Sequence, residues 1–98
     1  MFPKPGAKKK TSRKAAEKAH LGLVASLGCV ICGRTACVHH IRINGEPRDD
    51  FKTIPLCYYH HQGPEGIHHL GKHEFRKRFG HELDMLERVK NLLTKGAA

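Results

Sequence analysis

Tryptophan is absent from this 98-residue chain, and four Phe and two Tyr are its only other large aromatic side chains. So thin a supply does not favour recognition by stacking rings against a row of flat ligands. Long apolar runs are missing as well. The longest stretch, 21–30, is interrupted by Gly22, Ser26 and Gly28 and falls short of the about 20 apolar residues a membrane span needs. The chain opens on Lys and Pro residues instead of a short basic stretch followed by an apolar one, so no secretory leader is expected. The expectation is a cytoplasmic protein. Acidic residues are scarce: nine Asp and Glu stand against eighteen Lys and Arg, for a formal charge of +9.

The excess charge is concentrated. Residues 1–18 hold seven Lys or Arg and one Glu, six of the nine net positive charges. The run Lys4-Pro5-Gly6-Ala7-Lys8-Lys9-Lys10 has nothing to pack into a core, so residues 1–18 are expected to form a disordered basic arm and 19–98 the folded domain. A pI near 9.7 with clustered lysines points to a polyanionic partner, because each neutralised phosphate releases counterions. Removing the arm leaves roughly 80 residues, a size at which chains bury proportionally little surface and lean on a metal or on disulfides.

Four cysteines in a reducing compartment favour the metal. Cys29-x2-Cys32 and Cys57-x2-His60 are two pairs whose side chains can converge on one ion, and thiolate with imidazole suits zinc better than a hard cation. Four protein ligands make a closed, structural Zn2+ site. Cys37 is left over and is expected in the core, with exchange against His60 as fourth ligand the alternative.

Around these pairs the periodicity predicts a helix from Thr11 or Ser12, with Ala15, Ala16, Ala19, Leu23 and Leu27 on one face and Gly28 as its stop. Strands are predicted over 36–43 and 53–56, separated by a polar loop containing Gly45 and Pro47. A short helix is predicted over 57–62, ended by Gly63-Pro64, and two further helices over 72–79 and 82–93. Leu83, Leu86, Val89, Leu92 and Leu93 form the apolar stripe of the last. The fold class is α+β, a small zinc-stapled core with flanking helices.

Nine histidines are present, six of them in the doublets His39-His40, His60-His61 and His68-His69. A neutral imidazole with a pKa of about 6.5 can take a proton from water at physiological pH. Adjacent strand residues point to opposite sides, so His39 and His40 are expected to have different jobs.

His39-His40-Ile41 ending a strand, followed by Pro55-Leu56-Cys57-Tyr58-Tyr59-His60-His61, resembles the HNH (ββα-metal) nucleases over about residues 29–68. In that family a Cys-x2-Cys pair precedes an Asp-His or His-His strand motif, and a second Cys-x2-Cys-His segment opens the helix. More narrowly, the run from Asp50 to Cys57 with His60-His61, Gly66-Ile67-His68 and Gly71 is similar to the phage recombination-enhancement (Ref) nucleases. The resemblance implies a metal-dependent DNA endonuclease, phage- or prophage-encoded, acting on phosphodiesters. It implies His40 as general base, His39 and His61 as ligands of a catalytic Mg2+ or other divalent ion, and His68 as a third ligand or phosphate contact. It also implies cutting that depends on a RecA filament.

One family feature is missing. The middle Asn would fall near Lys52, and no Asn stands there. Asp50 is the preferred substitute, able to accept the imidazole N–H of His40 and fix its tautomer. Asp49 is a second choice, Asn44 sits too near the strand end, and Asp50 could equally serve only to start a turn. Lys8, Lys9, Lys10, Arg13 and Lys14 are expected to hold DNA electrostatically, Arg42 and Arg48 to contact phosphates beside the site, and Arg76, Lys77 and Arg78 to line a helix that does the same. His69, His73 and His81 carry no motif and are expected at the surface. The competing functions are a non-catalytic zinc module that binds nucleic acid and an accessory factor docking on a recombinase filament.

Overall fold

Alanine and lysine, both strong helix formers, dominate residues 7–19. In the computed structural model, which describes residues 5–97 with side chains from 14 to 95, this segment is helical. Helix α1 spans Pro5–Ser26. Proline is tolerated at a first helical position because its missing N–H would have no intrahelical partner there. The helix therefore begins well before Thr11, and most of the segment expected as a disordered arm belongs to α1. Residues 1–4 of that arm lie outside the described residues. The buried face also differs from the predicted one. Val24 is fully buried and Leu27 packs against the core, whereas Leu23 is exposed and Ala15, Ala16 and Ala19 face solvent.

After α1 the chain makes a tight turn. Gly33 N–H donates to Cys29 O and Cys29 N–H to Arg34 O, both at 2.8 Å, and Val30 N–H reaches Pro55 O at 3.0 Å. These bonds fasten the Cys29–Cys32 turn to the sheet. The sheet is β1 (Cys37–His40) against β2 (Thr53–Leu56), antiparallel. Cys37 faces Leu56, Val38 faces Pro55, His39 faces Ile54 and His40 faces Thr53. Two-stranded pairing leaves β2 an edge, which is what admits Pro55. β1 is shorter than the predicted 36–43. Ile41 N–H still donates to Lys52 O at 2.9 Å, but Asn44 (φ 55°) and Gly45 (φ 71°) then turn the chain, the residue pair that left-handed turn positions select. Asn44 is a turn former and takes no part in the site.

Four helices follow: α2 (Tyr58–His61), α3 (Ile67–Leu70), α4 (Lys72–Phe79) and α5 (Glu82–Ala97). α3 was not predicted, since four residues after Gly66 carry no readable period. Met85, Leu86 and Val89 of α5 close over the fully buried β2 with Phe75 of α4, Ile67 of α3 and Val24 of α1. Leu83 and Leu92, expected in that stripe, are 38% and 47% exposed; Met85 takes their place because the buried arc runs through 82, 85, 86, 89 and 93. Glu82 starts α5 with its side chain buried, clamped by Arg76 Nε at 2.7 Å and a second guanidinium N–H at 3.0 Å. Burial alone would raise the Glu82 pKa, but the Arg76 hydrogen bonds outweigh it and hold the carboxyl below its ordinary range. Among the described residues no helix is long and apolar enough to cross a membrane.

Candidate functional site

Two clusters of ligand-type side chains lie on either side of α2. In the first, one ligand atom each from Cys29, Cys32, Cys57 and His60 falls within 4.8 Å of all the others. Three of its edges measure 3.6 Å for Cys32 Sγ to Cys57 Sγ, 3.3 Å for Cys57 Sγ to His60 Nδ1, and 3.8 Å for Cys29 Sγ to His60 Nδ1. Ligands at the usual zinc distances, arranged tetrahedrally, sit about 3.5–3.8 Å apart, so the donor set fits zinc. A sulfur pair at 3.6 Å is far too long for a disulfide, and all four cysteines are free. Burial opposes ionisation of Cys29, yet backbone N–H groups of Cys57, Cys32 and Ile31 aimed at its sulfur bring its pKa below 9.0. Cys32 accepts from the backbone at Arg34 and still titrates above 9.0, raised by partial burial and by the sulfurs of Cys57 and Cys29. Crowded thiols of this kind are relieved by a divalent cation.

The second cluster is His39, His61 and His68, again with one ring nitrogen apiece within 4.8 Å. His61 Nε2 and His68 Nε2 are 3.0 Å apart, and the His39 ring centroid stands 5.1 and 5.2 Å from those of His61 and His68. Sheet and helix supply one ligand each, and Gly66 brings the third. A Cβ at Gly66 would lie 2.5 Å from the carbonyl carbon and oxygen of His61, so only glycine lets α3 approach α2 closely enough for His68 to meet His61. Burial, reinforced by repulsion from His61 and His68, pushes the His39 pKa down to about 4. Burial and then His68 lower that of His61. Both rings are neutral at physiological pH and present lone pairs, the state a metal ligand needs.

His40 lies beside this cluster on the other side of β1. Its Nε2 is 2.7 Å from Asp50 Oδ1, and that hydrogen bond, with Arg48 Nε 3.9 Å from the same oxygen, keeps the Asp50 carboxyl below its ordinary pKa. Asp50 is thus ionised and accepts from Nε2 of His40, an arrangement in which a neutral imidazole carries no proton on Nδ1. Asp49 is turned away: its carboxylate accepts the N–H of Phe51 at 2.9 Å. His20 of α1 packs on Phe51 at 4.9 Å, so α1 buttresses the loop that carries the carboxylate.

His39, His40, Arg42, Arg48, His61 and His68 line one open depression of about 320 Å³, and a neighbouring one that shares His39, His40, Arg42 and His68 adds Gly45 and Lys72. Arg42 and Arg48 thus share this depression with the histidines. Lys72, whose Nζ donates to Arg42 O at 2.7 Å, was missed because a single lysine at a helix start carries no signal. Lys14 is exposed on α1, while the side chains of Lys8, Lys9, Lys10 and Arg13 lie outside the described residues. The helical basic trio divides. Arg76 is committed to Glu82, Arg78 pairs with Glu74 at 2.8 Å, and Lys77 alone of the three makes no ion pair among the described residues. Cys37 is neither in the core nor near the zinc-type cluster. It is exposed, with Sγ 3.2 Å from His61 Nδ1. His69 and His73 are exposed, and His81 accepts the Leu83 N–H at 3.1 Å, capping α5.

No protein-family model matches this chain, and no curated protein or solved structure does either. The functional reading rests on the residues and their geometry.

Proposed function

We propose that the protein is a metal-dependent DNA endonuclease of the HNH (ββα-metal) type, with β1, β2 and α2 as the ββα core. The observation that carries this reading is the His40–Asp50 pair at 2.7 Å opening onto the same depression as three clustered imidazoles. A zinc-binding module that only bound nucleic acid would need the Cys3His frame and nothing more.

His39, His61 and His68 would hold the catalytic divalent ion; Cys29, Cys32, Cys57 and His60 would hold structural zinc. The catalytic ion, when bound, supplies charge stabilisation for the phosphate and the departing oxygen. The chain supplies the proton transfer. Nδ1 of His40 faces away from Asp50 and takes a proton from the attacking water, while the carboxylate keeps the ring oriented and stabilises the imidazolium that forms. Arg42, Arg48 and Lys72 at the rim of the depression hold the phosphate backbone, and the lysine-rich half of α1 adds salt-sensitive affinity without base specificity. DNA is the substrate, and a recombinase-coated filament is the form to test beside naked DNA.

The test is nicking of supercoiled plasmid, bare and RecA-coated, by zinc-loaded protein with Mg2+ or Mn2+. Wild type should nick, and His40→Ala should lose about 10²–10⁴-fold in rate while keeping its zinc and its DNA affinity. Failure of wild type to cut any of these substrates with any divalent ion would sink the enzyme reading in favour of the binding module.

A further inference from the structure

Cys37 belongs to no part of the machinery described so far, yet its sulfur touches two groups at once. Sγ lies 3.2 Å from the backbone oxygen of Leu56 and 3.2 Å from Nδ1 of His61. A carbonyl oxygen can only accept, so the single S–H proton of Cys37 points at Leu56. The sulfur then has only lone pairs to offer His61, and Nδ1 must carry the ring proton. With the ring proton on Nδ1, the neutral form of His61 has Nε2 bare, the atom that stands 3.0 Å from His68 Nε2 within the three-histidine cluster. The chain of contacts runs from Leu56 O through the Cys37 thiol to His61 Nδ1, and its far end is an unprotonated nitrogen aimed into the depression.

We infer that Cys37 is a positioning residue that fixes the tautomer and ring orientation of His61, so that His61 presents Nε2 to a divalent cation. The inference rests on reading His39, His61 and His68 as a metal site. Strand geometry explains how the residue comes to be there: Cys37 and His39 are two apart on β1 and project to the same face, one behind the His61 ring and one beside it. A carboxylate or backbone carbonyl commonly takes this part for ligand histidines. A neutral thiol does so without adding negative charge to the cluster.

The test uses full-length protein loaded with one equivalent of zinc. Long-range proton–nitrogen NMR correlations should show His61 protonated on Nδ1 in wild type, shifted to Nε2-H in Cys37→Ala, and on Nδ1 again in Cys37→Ser, whose hydroxyl can both donate and accept. Calorimetric titration with Mn2+ should show an affinity loss of about 10–100-fold in the alanine variant that serine largely restores, with zinc at one per chain throughout. A wild-type His61 protonated on Nε2, or a Cys37→Ala variant with unchanged tautomer and Mn2+ affinity, overturns the inference. The tautomer pattern and the Mn2+ loss together support it even in a protein that cuts nothing, whereas that absence of cutting removes only the nuclease reading.

Discussion

Acid should destabilise this fold in part through the ring of His39. His39 ionises near 4 in the folded chain against 6.5 for the exposed group. Because the folded value is the lower one, the unfolded chain takes up the proton first as the pH falls. The stability contribution is complete above 6.5 and is lost as the pH drops through 6.5 toward 4. A gap of 2.5 units, from 6.5 to about 4, is worth about 3 kcal/mol in full, of which about 2 kcal/mol is already gone at pH 5. For a domain with a total stability of about 5–10 kcal/mol that is a large share. Urea unfolding followed by circular dichroism at pH 7 and pH 5, on protein loaded with one equivalent of zinc, measures it. Protons also compete for the zinc-type thiolates, so His39→Gln is the internal control: it should lose about 2 kcal/mol less between the two pH values than wild type. Equal losses in the two proteins would refute the argument, because burial of His39 would then carry no proton linkage.

Gly66→Ala places a methyl group 2.5 Å from two backbone atoms of His61 where 3.4 Å is ordinary contact, so α3 must retreat from α2. We expect Mn2+ affinity at the three-histidine site to fall at least about tenfold and stability by about 1–3 kcal/mol, with zinc content unchanged by elemental analysis. Cys57→Ser removes a buried sulfur from the Cys3His cluster. Zinc in such sites contributes about 10–16 kcal/mol of folding free energy, so the variant should bind no stoichiometric zinc and lose its cooperative thermal transition in calorimetry. Arg76→Ala strands the fully buried Glu82 carboxylate and should cost about 3 kcal/mol in denaturant titration. The Glu82 pKa, now held low by Arg76, should rise in that variant.

Local spacing made part of this molecule readable. Cys29, Cys32, Cys57 and His60 announce themselves because the two pairs each fit within one turn of chain. β2 and α4 match their predicted bounds because Thr53–Leu56 and Lys72–Phe79 are fenced by a polar loop and by glycines at 71 and 80. Contacts between distant segments were not readable in the same way. Nothing local tells that Cys37 meets His61 across 24 residues or that Lys72 reaches the Arg42 carbonyl across 30. Arg76 looked like one of three interchangeable surface cations, and only the packing of α4 against the start of α5 gives it a buried partner. Asp50 was a choice among acceptors on the 44–52 loop, and it meets His40 because the Asn44-Gly45 turn and the β1–β2 register bring the end of that loop back beside the strand.

His60 and His61 are neighbours in sequence, one turned toward the thiol cluster and the other toward the imidazole cluster. One peptide unit on a four-residue helix is therefore the joint between the two clusters, so a movement of His60 would be passed directly to His61. A general chelator would not tell which of the two proposed ions the protein needs. Metal dependence should instead be dissected by exchange, with a thiophilic cation such as cadmium directed at the sulfur side and manganese at the nitrogen side. Any inhibitor that ejects the zinc would act at a distance of one residue, without entering the depression where DNA is proposed to bind.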